Sequence, residues 1–323
     1  MKEAIKTLIA GVLIGIVSLM AMKAQAQDWP QRPLRFVVIT PAGGAPDYVA
    51  RTLASRMSGL LGQPIVVENR PGGGGNIATA AVANAAPDGY TFLITGNNHA
   101  VNPILLPNPG FDYVRSFAPV GLIASGNYLL VASPSLVAKN VSEVLALARA
   151  KPDALSFAVT QIGTPAHLGA ELFLQLGKIN MTIIPYTGVA PAMSDLLNSR
   201  VDLIISAFPA VIGLIDSKQI KALAVTRSTR SPVFPNVPTI AESGLPDFDL
   251  SGWICLMAPA GTSPAIIARI NALVHQVLAE KEVTEAFAEQ GLDVMPSSPE
   301  ELASFMQREE QQWAGVLAKA SVR

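Results

Sequence analysis

The chain has 323 residues, half of them apolar and only 15% charged, with 23 Lys and Arg set against 24 Asp and Glu. That balance excludes a nucleic-acid binder, which works through a clustered basic surplus, and the aperiodic Gly and Pro, 25 of each, exclude collagen-like and low-complexity chains. One cysteine, Cys255, permits neither an internal disulfide nor a cysteine-based zinc cluster.

Residues 1–26 read as a secretory signal. Lys2 and Lys6 precede an uncharged run from Thr7 to Met22, and Ala24-Gln25-Ala26 supplies the small–x–small pattern of a cleavage site. The run is short for the ~20 residues that span a bilayer. The expected product is a soluble, exported periplasmic protein that begins at Gln27, with an uncleaved N-terminal anchor as the alternative.

From there strands and helices alternate. Arg35–Thr40 is a β-branched run stopped by Pro41-Ala42-Gly43-Gly44, after which Val49, Leu53, Met57 and Leu60 recur at helical spacing up to Gly62. Ile65–Val67 reads as a strand, Asn69–Gly75 as a turn, Ile77–Ala86 as an alanine-rich helix and Thr91–Thr95 as a third strand. A βαβαβ order implies a parallel sheet with helices on both faces. The alternation recurs in Ser156–Thr160, Ala166–Leu176, Met181–Pro185, Pro191–Ser199, Leu203–Ser206, Ala210–Ser217 and Ala222–Thr226. Between the two sets stand strand-like Val120–Ile123 and Tyr128–Ala132. Trp253–Ala258 follows the second set, and the rest is helical: Pro264–Glu280, Val283–Gln290 and Pro299–Ala320.

The predicted architecture is α/β with two lobes, each a parallel or mixed sheet flanked by helices. The first lobe takes residues 27–126 and 253–323, the second 127–252. A chain that leaves near Gly126 and returns near Gly252 joins them by two strands, a hinge suited to closure on a ligand.

Two strand-to-helix loops carry the candidate chemistry. In Thr40–Asp47 (T-P-A-G-G-A-P-D), at the carboxyl edge of the sheet, glycines allow close backbone approach and a helix N-terminus offers unpaired amides, which predicts an anion site; the alternative is a tight turn with Asp47 near an N-cap. Thr160–His167 (T-Q-I-G-T-P-A-H) holds the same position in the second unit, with Thr160, Gln161 and Thr164 as neutral donors, Gly163 as an exposed amide and His167 orienting the loop or touching ligand. His99, after Gly96-Asn97-Asn98 at a strand end, is a candidate to face the cleft. His275 lies mid-helix and reads as structural. Cys255, in W-I-C-L-M, reads as core. The Asp and Glu residues are scattered, and no H-E-x-x-H or G-x-S-x-G motif occurs, so no catalytic constellation, metal site or cofactor is predicted.

Taken together, Pro41–Gly44, V-V-E-N-R-P-G (Val66–Gly72), A-P-D-G-Y (Ala86–Tyr90), Asn102-Pro103, P-Y-T-G-V-A-P-A (Pro185–Ala192), A-L-A-V-T (Ala222–Thr226), V-P-T-I-A-E-S-G-L-P (Val237–Pro246) and A-P-A-G-T (Ala258–Thr262) resemble the Bug-type extracytoplasmic solute receptors of tripartite tricarboxylate transporters, over nearly the whole chain beyond Trp29. The resemblance implies a flytrap fold that holds a ligand carboxylate between the two loops and docks on a membrane permease. It places Pro41, Ala42, Gly43, Gly44, Ala45, Asp47, Asn98, His99, Thr160, Gln161, Gly163, Thr164, His167, Tyr186, Ser206 and Ala207 at the ligand. The chain departs from the family pattern at Pro46, at Pro165-Ala166 and at Ser206, where the family often has Thr or Ser, two further hydroxyls, and aspartate. These changes make the cleft more apolar and predict a mono- or dicarboxylate ligand with an apolar or aromatic body, not an amino acid. The alternative outputs are presentation of the ligand to a signalling protein and, as the competing class, a periplasmic enzyme in the same cleft.

Overall fold

The computed structural model describes residues 29–106, 109–160, 163–231 and 233–318. The leader expected at 1–26 and Gln161 lie outside them. The first unit runs β1 (Leu34–Val38), α1 (Ala45–Leu61), β2 (Ile65–Asn69), a 3-10 turn (Gly73–Gly75), α2 (Asn76–Ala83), β3 (Thr91–Gly96) and α3 (Asn97–Leu105). β1 pairs in parallel with β2 and with β3. This is what a helix between successive strands requires, because a parallel partner can be reached only by a crossover. α3 was not anticipated: its Asn-rich start and internal Pro103 carry no helical periodicity.

β4 (Phe117–Gly126) passes through Asn127 directly into β5 (Tyr128–Ala132). The second unit continues with α4 (Val141–Ala150), β6 (Ser156–Val159), α5 (Pro165–Gly177), β7 (Thr182–Pro185), α6 (Val189–Leu197), β8 (Leu203–Ala207), α7 (Phe208–Asp216) and β9 (Lys221–Val225). The chain then returns as β10 (Gly252–Pro259), followed by α8 (Pro264–Leu278), α9 (Lys281–Glu289), β11 (Leu292–Val294) and α10 (Pro299–Leu317). Two sheets result, of order β11-β4-β10-β3-β1-β2 and β7-β6-β8-β5-β9. Both are mixed: β10 runs antiparallel to β3 and β4, and β5 antiparallel to β8 and β9. Every residue of β3 and β10 is buried, as central strands covered on both faces require.

The two crossings between the sheets lie side by side, with Gly252 paired to Gly126. The ring of Tyr128 fills the space there: a Cβ on Gly252 would sit 2.8 Å from it, so this strand end admits only glycine.

The helical tail does not stay with the first sheet. α8 and α9 do, through Ile270, Val274, Val277 and Phe287. α10 opens with a capping box of Ser298 and Glu301 and buries Leu302 in the first unit beside Val37 and Cys255. Its far end departs from the expected boundary: Trp313, Val316 and Leu317 join the apolar cluster of the second sheet, with Leu130, Phe157 and Phe173. Each such side chain contributes ~1.5–3 kcal/mol when removed from water, so burial decides the helix's course and α10 becomes a third tie between the units. Among the described residues no helix is long and apolar enough to cross a membrane.

Candidate functional site

The β1–α1 and β6–α5 loops are built alike. Each places a glycine at its fourth residue in the left-handed region, Gly43 at φ 86° and Gly163 at φ 80°. Each then caps its helix with an extended residue, Gly44 at φ −79° and ψ 164°, Thr164 at φ −77° and ψ 159°. In each the glycine amide donates to the side chain four residues on: Gly43 N to Asp47 Oδ2 at 2.9 Å, Gly163 N to His167 Nδ1 at 3.2 Å. The shared pattern is T-x-x-G-x-x-x-D/H, with a proline in each helix's first turn fixing φ at no hydrogen-bonding cost.

Both loops open onto one cleft of about 290 Å³ between the sheets. From the first sheet it is lined by Ile39, Thr40, Gly44, Ala45, Pro46, Asn97 and Asn98; from the second by Thr160, Thr164, Pro165, Ala166, Val189, Ile205, Ser206 and Ala207. Tyr128, Gly252, Trp253, Ile254 and Leu292 close its hinge side. Among the described residues no charged side chain lines it.

Its polarity comes from two other sources. The first is backbone: the N-termini of α1, α3, α5, α6 and α7 all contribute lining residues, and each carries a partial positive charge. The second is a pair of buried hydroxyls. Thr40 Oγ1 on one sheet and Ser206 Oγ on the other have no hydrogen-bond partner among the described residues. Leaving a buried hydroxyl unsatisfied costs ~1–3 kcal/mol, so native structures keep such groups where something else completes them. Thr160 Oγ1 and Thr164 Oγ1 stand 3.2 Å apart. Asn97 is already occupied, since its Oδ1 accepts the Trp253 amide at 3.0 Å and its Nδ2 donates to Ser251 O at 3.3 Å.

Of the residues predicted at the ligand, Gly44, Ala45, Asn98, Thr160, Thr164, Ser206 and Ala207 meet in this cleft. The others among the described residues stand elsewhere. Pro41, Ala42 and Gly43 form the exposed outer tip of their loop. The amides of Gly43 and Gly163, expected to reach ligand, are taken by Asp47 and His167 within their own loops.

Asp47 is a buried brace. Burial works to raise its carboxyl, but hydrogen bonds from Arg51, the Gly43 amide and Asn69 outweigh that and hold it below the usual carboxylate range. His167 is fully buried behind the second loop, where loss of solvent pushes its pKa down to about 4 and keeps it neutral. His99 is a correction. It faces away from the cleft into a separate apolar cavity of about 80 Å³, its Nε2 donates to Tyr113 O at 2.8 Å, and its ring stands edge-on to Tyr113 and Phe117. Burial lowers it too to about 4. Tyr186 is held outside the cleft lining, its hydroxyl on Asp195 Oδ2 at 2.8 Å.

The cleft also takes residues that loop reasoning leaves out: Asn97, Tyr128, Trp253 and Leu292. Asn97 was accessible to the same strand-then-helix rule, had α3 been legible. The other three come from the crossing strands and from β11, whose place beside the cleft depends on long-range pairing.

A sequence profile for the tripartite tricarboxylate transporter family receptor matches residues 49–322. The chain belongs to this receptor family. It is 38% identical to protein BugT of Bordetella pertussis over 98% of this chain and 97% of that one. It is 34% identical to a protein from the tcbD–tcbE intergenic region of Pseudomonas sp. strain P51, over 97% and 94%. Among solved structures, Rpa4515 of R. palustris with adipate superposes with a TM-score of 0.81 at 36% identity, over 90% of this chain and 97% of that one. MatC of Rhodopseudomonas palustris with bound malate gives 0.79 at 32% identity, over 89% and 99%, and the periplasmic binding protein BugD gives 0.79 at 35%, over 91% and 99%. As a member of this family the chain has the expected two-sheet periplasmic-binding-protein fold.

Proposed function

We propose that this chain is a periplasmic receptor that captures a small carboxylate-bearing organic acid in the cleft between its lobes and delivers it to the permease of a tripartite tricarboxylate-type transporter. It works as a monomer, exported and freed of residues 1–26, with lobes of 27–126 plus most of 253–323 and of 127–252 hinging about Gly126–Tyr128 and the start of β10. The observation that carries the reading is the pair of buried hydroxyls, Thr40 Oγ1 and Ser206 Oγ, which have no partner among the described residues and come from opposite sheets into one cleft that no described charged side chain lines. The adipate and malate found in two structural relatives support a carboxylate as the group held there.

The binding physics needs no arginine. Helix N-termini and hydroxyl donors stabilise an anion, and exclusion of water on closure strengthens each bond. Closure follows because the ligand touches both lobes only in the closed form, so it binds that form more tightly. A thermal-shift screen of organic acids that includes adipate and malate tests the reading. A ligand at a hundredfold excess over its Kd should add ~2.7 kcal/mol to stability; a set of acids that never moves the midpoint would overturn it.

A further inference from the structure

We propose that the cavity behind α3 is a second binding site, which takes a small organic ammonium; the proposal goes beyond the receptor reading and does not depend on it. The cavity, of about 80 Å³, shares no lining residue with the cleft. His99 of α3 lines it, Met257 of β10 and Ala303 and Met306 of α10 supply apolar wall, and Glu310 of α10 stands with them. A wider groove of about 600 Å³ adjoins it, sharing Pro103, Tyr113, Val114 and Glu310, and gives a path to solvent along Phe111.

Two polar groups there are left incomplete. His99 is 2% exposed, and its Nε2 donates to Tyr113 O at 2.8 Å. That bond puts the ring proton on Nε2 and leaves a lone pair on Nδ1, which is buried with no partner among the described residues. Burial also lowers the ring to about 4, so at neutral pH it is uncharged and offers only an acceptor. Glu310 is half-buried and makes no hydrogen bond or ion pair among the described residues. No described Lys or Arg lines either space, and Arg115, on the loop before β4, is 89% exposed beside Asp112.

Native structures keep buried acceptors where something completes them. Water or an alcohol would satisfy the imidazole lone pair but leave the Glu310 charge unanswered. A metal ion is a poorer match, since no three His, Cys, Asp or Glu side chains come together among the described residues. An ammonium answers both groups: it carries the charge opposite to Glu310 and three N–H donors, of which one suits Nδ1. Size sets the stem. At ~30 Å³ per water-sized group the cavity holds about three, an ammonium and two carbons. A larger apolar body continues into the groove over Phe111 and Pro109. The two methionines suit such a body, because their flexible thioethers adapt to irregular shapes.

The test titrates ethylammonium and 2-phenylethylammonium into the full chain, with ethanol and 2-phenylethanol as uncharged counterparts. It follows the heat of binding and the ring-nitrogen resonances of the three histidines. Each amine should bind about tenfold or more tightly than its alcohol and move the Nδ1 resonance of His99, while those of His167 and His275 hold. Glu310→Gln, nearly isosteric, removes the charge and should weaken the amines about tenfold. Ala303→Leu fills the cavity, leaves Glu310 in place and should abolish the His99 response. Amines that leave the His99 resonance unmoved show a cavity that takes water only and overturn the proposal, as does binding of equal strength to the wild type and Glu310→Gln. Should Glu310→Gln fail to fold, Ala303→Leu decides alone: an unchanged His99 response overturns the site.

Discussion

Gly163 donates its amide to Nδ1 of His167 across 3.2 Å, a bond that leaves the imidazole proton on Nε2 and fixes the ring as neutral. Gly43 and Asp47 make the same bond in the other lobe with a carboxylate in place of the imidazole. The two loops thus share one geometry but differ in how acid affects them.

Acid should weaken the fold through its buried histidines before its carboxylates titrate. His99 and His167 are each held near pKa 4, against 6.5 for the free side chain. A depressed histidine pKa means that the unfolded chain binds the proton first, so stability falls as pH drops from about 6.5 toward 4, by on the order of 3 kcal/mol per histidine at the limit. Glu309 opposes this: burial raises its carboxyl above 4.5, so the native chain keeps a proton that the unfolded chain releases, and its contribution declines as pH rises. Urea midpoints at pH 7.0 and 5.0 should fall for the wild type and fall less for His167→Gln, whose amide oxygen can still accept from Gly163. Equal slopes would remove His167 from the account.

Thr40→Val should separate stability from binding. Valine keeps the shape and deletes a buried hydroxyl that lacks a partner among the described residues. The ligand-free melting point should hold or rise, since an unsatisfied group costs ~1–3 kcal/mol. The shift produced by an organic acid should shrink. A variant with the wild-type ligand shift would show that Thr40 makes no contact with solute.

Alanine at the two loop glycines should act unequally. A Cβ on Gly43 meets nothing within 4 Å, so only its left-handed backbone is strained. A Cβ on Gly163 would lie 3.2 to 3.3 Å from Asn98, Val101 and Asn102 of α3, on the opposite lobe. Gly43→Ala should cost ~1–2 kcal/mol in stability. Gly163→Ala should in addition weaken ligand binding by wedging the closed form, and titration calorimetry on the two variants distinguishes them.

Glu309 should tie the cleft wall to the second lobe. Its Oε2 accepts both the Trp253 indole N–H at 2.7 Å and the Trp313 N–H at 3.1 Å. Trp253 lines the cleft, and Trp313 sits in the second core. Glu309→Gln retains an acceptor oxygen and should keep near-normal stability and affinity. Glu309→Leu strands two buried donors at ~1–3 kcal/mol each and should shift the tryptophan emission, since these are two of the chain's three tryptophans. Identical behaviour of the two variants would contradict the tie.

Much of this was legible locally. The strand-to-helix loops, with a glycine where the backbone must turn left-handed and a proline in the first helical turn, depend on residues within eight positions of one another. Ala45, Thr160 and Thr164 follow from them, whereas Ser206 followed only from the family resemblance. His99 was misread for an equally local reason: its place at a strand end fits a cleft, but nothing nearby in sequence reveals that Tyr113 and Phe117 fold over it. Trp253 and Leu292 were missed because their neighbours in space lie more than a hundred residues away.

The amino-acid order alone determined the α/β alternation, the parallel pairing of β1, β2 and β3 and the paired loops, because each is set by short-range propensity and periodicity. Only the tertiary structure decided which sides of those loops face the cleft, that the glycine amides turn inward to Asp47 and His167, and that α10 crosses to the second core. Those outcomes depend on which apolar surfaces leave water together, and that competition is settled among residues far apart in the chain.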